Sequence, residues 1–145
     1  MSEPQVNDPP VLAEVEAVFA RYEQALMSND VETLDALFWQ SPDTVRYGVG
    51  ENLYGYDEIA AFRVARPGGS PQRTVLRSVV TSFGRDFATT SIEFRRTGRG
   101  GAAEGAVGRQ SQSWVRLAEG WRIVAAHVSL LGAGTLPPGP GGDTA

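Results

Sequence analysis

Cysteine and lysine are both missing from this chain of 145 residues, and histidine occurs once. Without cysteine the protein has no disulfide, no thiolate metal ligand and no cysteine nucleophile. Without lysine it cannot form a Schiff base with a carbonyl substrate. One histidine among scattered carboxylates gives no cluster of metal ligands. The sequence therefore predicts a protein that works without a metal.

Long hydrophobic runs and a basic surface are missing as well. No apolar run approaches the ~20 residues that span a bilayer, and the N-terminus lacks the positive and apolar regions of a signal peptide. All 13 basic residues are arginine, yet the formal net charge is -4, which argues against a nucleic-acid partner. We therefore expect a cytoplasmic protein with neither a membrane nor a nucleic acid as partner.

The pattern of apolar residues predicts one domain over residues 10–132, with mobile segments at 1–9 and 133–145. Apolar side chains at helical spacing are followed by β-rich runs. The expected helices run from Leu12 to about Asn29, from Asp30 to Phe38 and from Glu58 to Arg66, and the expected strands are Thr44–Tyr47, Arg73–Phe83, Phe87–Arg96 and a hairpin within Gly108–Leu131. This order predicts an α+β fold with helices on one side of an antiparallel sheet.

The last hairpin, GRQSQSWVRLAEGWRIVAAHVSLL, contains the one histidine. A tight turn at Ala118-Glu119-Gly120 joins its two strands. With an even register, one face would carry Gln110, Gln112, Trp114, Ile123, Ala125 and His127. Two amides and an imidazole among apolar neighbours indicate the wall of a cavity.

Three segments carry a family resemblance: FARYEQAL, DTVRYGVGENLYGYDEIAAFRVAR, and GRQSQSWVR with GWRIVAAHVSL. They resemble the AtzH and HpxZ group of the SnoaL-like branch of the nuclear transport factor two superfamily. The resemblance covers residues 10–132 and implies a cone-shaped, curved antiparallel sheet whose concave face is covered by three N-terminal helices. It also implies a homodimer, and a decarboxylating amidohydrolase that converts 1,3-dicarboxyurea to allophanate in cyanuric acid, oxalurate or related ureide breakdown.

The resemblance places Tyr22 and Arg46 in the pocket. Tyr22 lies on the apolar stripe of the first helix, where a core tyrosine is the plain alternative. A strand arginine such as Arg46 is most often solvated, but in a pocket its planar fork would bind a carboxylate through two parallel donors. Glu51 is expected either to pair with such an arginine or to serve as a turn residue.

The other candidates also have alternative interpretations. Arg63 and Arg66, three residues apart on one helix, could form a second anion clamp, although Arg66 at the helix end is expected to be solvated. The amides of Gln110 and Gln112 suit the binding of a urea carbonyl, and Trp114 either shares that wall or packs in the core. His127 is a candidate general acid or base, and a structural histidine otherwise.

These expectations combine into one hypothesis that needs no cofactor. Arginines hold a small anionic substrate, Arg46 holds its carboxylate, and Tyr22 delivers the proton. The same cavity would also suit a non-catalytic anion-binding protein or an accessory partner of a pathway amidase, and a structural dimerisation domain is a third possibility. The homodimer is expected to form largely through the outer face of the sheet, because two successive strands carry apolar groups on both faces, namely Val75, Val79, Ile92 and Phe94.

Overall fold

The computed structural model describes residues 3–66, 68–98 and 105–132. Three helices and six strands make up this part of the chain. They are α1 (Pro9–Met27), α2 (Val31–Leu37), β1 (Val45–Tyr47), β2 (Asn52–Tyr54), α3 (Tyr56–Ala65), β3 (Arg73–Phe83), β4 (Phe87–Arg96), β5 (Val107–Leu117) and β6 (Gly120–Leu130).

The helices form for local reasons that the sequence displays. Two prolines occupy the first turn of α1, where a missing N–H is no loss. Asn29 ends this region with a left-handed φ of 55°, and the Asp30 side chain then caps α2 by accepting a hydrogen bond from the Thr33 N–H at 3.2 Å. The buried stripe of α1 is Val11, Val15, Phe19, Tyr22, Ala25 and Leu26. None of the helices in the described ranges is long and apolar enough to cross a membrane.

The six strands form one curved, unclosed sheet in the order β2-β1-β6-β5-β4-β3. The predicted α+β class and the covering helices are confirmed, and β3 and β4 begin and end where the sequence predicts. One pairing corrects the expectation of a wholly antiparallel sheet, because β1 runs parallel to β6. The short strand β2 was not predicted; it pairs antiparallel with β1 after a tight turn.

The core lies between the helices and the concave face of the sheet. Trp114 and Ile123 are fully buried at opposite positions of β5 and β6. Ile92 and Phe94 are buried as well. Val75 and Val79 are exposed.

A β-bulge at Val124 in β6, opposite Ser113 and Trp114, changes which side chains of the last hairpin share a face. Gln112 lies opposite Ala126, while His127 lies opposite Ser111 and is exposed. The predicted common face of His127 with the two glutamines is therefore wrong, because one inserted residue moves every later side chain to the other side.

Part of the segment 1–9, which the sequence predicts to be mobile, makes backbone contacts with the sheet. Val6 forms a β-bridge with Phe83, and the Gly84 N–H donates to the Gln5 carbonyl at 2.8 Å. These backbone hydrogen bonds attach residues 5–7 to the end of β3, and α1 begins at Pro9. The predicted tail, 133–145, lies outside the described residues.

Candidate functional site

A small cavity opens on the concave face, with about 60 Å³ of space. Its polar lining is dominated by arginine, with a single carboxylate. The lining residues are Tyr22, Leu26, Arg46, Val49, Glu51, Arg66, Ser70, Pro71, Arg73, Phe94, Arg96, Gln110 and Val128.

One side of the cavity holds a cluster of two arginines around Glu51. The Arg46 Nη1 lies 2.9 Å from the Glu51 Oε2, and the Arg66 Nη2 lies 3.8 Å from the same oxygen. Both guanidinium groups also lie over the ring of Phe62, at 5.8 and 4.8 Å from its centroid. Because one carboxylate serves two cations, this cluster keeps donor capacity for another anion.

The position of Glu51 depends on the glycine at position 48. The Gly48 N–H donates to the Glu51 carbonyl at 2.8 Å in the turn between β1 and β2. A Cβ at Gly48 would lie only 1.9 Å from the Glu51 Oε2, whereas nothing lies within 4 Å of a Cβ at Gly50. Glycine is therefore needed at position 48 for the carboxylate to reach Arg46.

The other side of the cavity is built around Arg73, at the start of β3. Its Nη2 donates to the Glu23 Oε2 at 2.5 Å and to the Gln110 Oε1 at 3.2 Å. Its guanidinium lies 4.6 Å from the centroid of the Phe94 ring. That ring covers Gly108, where a Cβ would lie 2.3 Å from it. Arg73 is thus fixed by a carboxylate, an amide and an aromatic face.

Positive charge is crowded in this cavity. Arg73 and Arg96 are directly opposite each other on β3 and β4, an arrangement that is unfavourable for like charges. Burial, and then the charge of Arg73, lower the pKa of Arg96. Burial, and then the charge of Arg46, lower the pKa of Arg66. Both shifts mark cations that a bound anion would stabilise.

Tyr22 reaches this cavity from α1 and is 3% exposed. Its ring packs edge-on against Phe38, with 6.4 Å between the centroids. The next residue along the helix is Glu23, the partner of Arg73. The predicted pocket residues Tyr22, Arg46, Glu51 and Gln110 thus border one cavity, and their chemical roles remain predictions.

Gln112 and Trp114 do not line this cavity. The Trp114 indole N–H donates to the Thr90 hydroxyl at 3.1 Å, so that hydroxyl donates its own proton to the Gln112 Oε1 at 3.0 Å. Trp114 is fully buried, which favours its interpretation as a packing residue over direct substrate contact.

His127 and Arg63 also lie away from the cavity. His127 packs against Tyr47 on the outer face, with 5.8 Å between the ring centroids, so the structure contradicts its place in the pocket. The Arg63 Nε donates to the Asp35 Oδ1 at 3.1 Å in a narrow neighbouring cleft that also touches Arg46 and Arg66. Arg63 and Arg66 thus border one cleft together with Arg46, and their expected anion clamp stays a prediction. Arg66 is not a solvated helix end, because its side chain is 26% exposed.

Arg73 and Arg96 also line the cavity, and neither was predicted as a site residue from the sequence. A signal for them was present, because the predicted hairpin of Arg73–Phe83 with Phe87–Arg96 brings its two terminal arginines together. Two like charges at such a position indicate a partner from elsewhere. The contacts with Glu23 and Phe94 depend on tertiary packing and have no local signature.

A family model described as AtzH-like matches residues 4–134. The chain belongs to the AtzH-like family. A crystal structure of a protein of unknown function from Pectobacterium atrosepticum is 55% identical, with a TM-score of 0.81, over 88% of this chain and 95% of that chain. A protein with a cystatin-like fold from Burkholderia xenovorans is 48% identical, with a TM-score of 0.81, over 88% of this chain and 97% of that chain.

A more distant solved structure shares the fold of this AtzH-like protein. It belongs to the nuclear transport factor 2 superfamily and comes from Salmonella enterica. It is 24% identical, with a TM-score of 0.68, over 90% of this chain and 98% of that chain. No curated protein matches the chain.

Proposed function

We propose that this AtzH-like protein is a cofactor-independent decarboxylating amidohydrolase that acts on a carboxylated urea, of the type that converts 1,3-dicarboxyurea to allophanate. Such a substrate has two carboxylates around a urea carbonyl. It therefore offers two negative charges and many hydrogen-bond acceptors within a few bonds.

The observation that carries this proposal is the charge and donor content of the cavity. Four arginines and one glutamate line it, and Glu23 adds a second carboxylate against Arg73. Among these six residues, two positive charges are left over. Two buried donors of the lining, the Arg73 Nε and the Gln110 Nε2, have no hydrogen-bond partner in the described ranges. Each unpaired buried donor costs about 1–3 kcal/mol, so a dianion rich in acceptors fits this cavity.

In the proposed reaction, the carbon–nitrogen bond of one N-carboxylate breaks and its electron pair stays on nitrogen. The nitrogen gains one proton and the carboxylate leaves as carbon dioxide, so the dianion becomes a monoanion. Arg46 holds a carboxylate and polarises the adjacent carbonyl, while Tyr22 delivers or relays the proton. Both side chains border the cavity.

A second candidate function is anion binding without chemistry, as an accessory protein to an amidase of the same pathway. The crowded arginines favour it as strongly as they favour catalysis, because they explain binding alone.

The two candidates differ in turnover. Purified protein is incubated with freshly generated 1,3-dicarboxyurea, and carbon dioxide release is compared with the spontaneous rate. Binding of malonate and oxalurate is measured on the same preparation by calorimetry. The enzyme hypothesis expects release above the spontaneous rate together with inhibition by malonate. Tight malonate binding without faster release would instead support the accessory protein.

We also propose a homodimer through the outer face of the sheet. Val79, Phe83 and Phe87 are exposed there on β3 and β4, and Tyr54 and His127 lie farther across the same face. An apolar face of this kind is stabilised by a symmetric copy of itself. Sedimentation should give a dimer at micromolar concentration, and a monomer there would contradict the proposal.

A further inference from the structure

Arg73 is held on several sides, and its contact with Glu23 also joins β3 to α1. Its side chain is 6% exposed, although it begins a strand whose next residues are mostly exposed. Glu23, Gln110 and the Phe94 ring fix it from three sides. A guanidinium has five N–H donors, so these contacts leave donors for a further partner.

The hydrogen bonds around Arg73 indicate that a further partner must be an acceptor. A guanidinium only donates, so Gln110 must turn its Oε1 toward Arg73, and its amide nitrogen is left over. The Gln110 Nε2 and the Arg73 Nε are both buried and have no partner among residues 3–66, 68–98 and 105–132. Both side chains line the cavity. Two neighbouring N–H donors match the two oxygens of one carboxylate.

The charges around Arg73 also favour a bound anion. Arg96 lies opposite Arg73 on β4 and also lines the cavity. An anion at this position would bring a negative charge between the two cations. The Arg46 and Arg66 cluster forms a separate group around Glu51. The cavity thus contains two cationic groups, each supported by its own carboxylate.

We propose that Arg73 and Gln110 form a second carboxylate-binding subsite, so that the cavity selects small dianions whose carboxylates bind at Arg46 and at Arg73. This subsite deepens the proposed function, since it names the residues that hold the second carboxylate of a dicarboxylated urea. Binding measurements alone can support or refute this subsite.

The test compares malonate with malonamate, in which one carboxylate is replaced by a carboxamide of similar shape. Affinities are measured by calorimetry. Wild-type protein should prefer malonate by roughly tenfold to a hundredfold, because hydrogen bonds to charged groups are the stronger ones. A wild-type protein that binds both equally, or binds neither, would overturn the subsite.

The main variant combines Arg73→Gln with Glu23→Gln, which removes one positive and one negative charge and leaves the net charge of the cavity unchanged. The preference for malonate should fall to near unity while malonamate affinity stays at the wild-type value. Arg77→Gln is the matched control, because Arg77 lies exposed on the same strand, and it should keep the wild-type preference. A double variant that keeps the full preference would refute the role of Arg73.

Gln110→Met is the second variant, for the case that the double variant does not fold. It preserves volume and charge, and it should lower the preference by roughly twofold to tenfold. An unchanged preference would remove Gln110 from the subsite. If the protein turns over dicarboxyurea but its preference for malonate does not depend on Arg73, the proposed function stands and the subsite is refuted. A preference that depends on Arg73, without turnover, would keep the subsite and refute the enzyme.

Discussion

Replacement of Arg46 gives the sharpest quantitative prediction. Its guanidinium is held by Glu51 at 2.9 Å and its side chain is 14% exposed, so it is partly shielded from water. Arg46→Lys keeps the charge but replaces the planar fork by one compact ammonium group, which cannot give a carboxylate two parallel donors. Arg46→Ala removes the charge as well.

The size of the effect follows from burial and from the neighbouring cations. Removal of one partner of a buried charge pair costs about 2 to 5 kcal/mol of binding free energy, or roughly thirtyfold to a few thousandfold in affinity. Arg66 shares the Glu51 carboxylate and can take over part of the contact. We therefore expect Arg46→Ala to lose affinity for malonate near the lower end of this range. Arg46→Lys should lose roughly tenfold.

Calorimetry with malonate measures both variants, and thermal melting checks that each is folded. Arg77→Lys serves as the control, because Arg77 is an exposed arginine of β3 and its replacement should leave malonate affinity unchanged. Folded Arg46→Ala protein with wild-type affinity for malonate would refute the assignment of this cavity as the anion site.

Three further substitutions test separate parts of the account. Tyr22→Phe should abolish most turnover while malonate still binds, because the ring remains and only the proton donor is lost; wild-type turnover would remove Tyr22 from the chemistry. His127→Gln should change malonate affinity by no more than about twofold, since His127 is exposed on the outer face, and a larger loss in calorimetry would return it to the site. Gly48→Ala should lower stability by no more than about 1 kcal/mol, because its Cβ displaces the end of the flexible Glu51 side chain from Arg46; an equal or larger loss in Gly50→Ala by denaturant unfolding would contradict this reason.

Much of the architecture could be predicted from local sequence patterns. The stripe of α1, the cap at Asp30 and the hairpin of β3 with β4 all follow from spacing and turn chemistry. The parallel pairing of β1 with β6 could not be predicted, because periodicity gives a strand its faces and not its partners.

The prediction of which side chains share a face of the last hairpin was wrong for a specific reason. Strand parity was correct throughout β5 and up to Ile123 of β6, and the extra residue Val124 then moved His127 to the outer face. No residue near this position predicts a bulge, since the glycines of the hairpin are Gly108 and Gly120. One irregular residue was enough to separate His127 from Gln110.

The site residues also divide into those that the sequence could predict and those that it could not. Tyr22 and Arg46 were predicted for the pocket by resemblance, and both border the cavity. Arg73 begins a strand whose following side chains face solvent, and only the distant Glu23 and Phe94 bury it. Such burial depends on the packing of α1 against β3, which no local pattern contains.

The central claim is tested most directly by the fate of labelled 1,3-dicarboxyurea. With both carboxylates carrying carbon-13, nuclear magnetic resonance follows substrate, allophanate and released carbon dioxide in one sample, with and without protein. The account predicts that wild-type protein forms allophanate and carbon dioxide in equal amounts, faster than the spontaneous reaction, and that Tyr22→Phe returns the rate to the spontaneous value. Identical rates with and without wild-type protein would contradict the account.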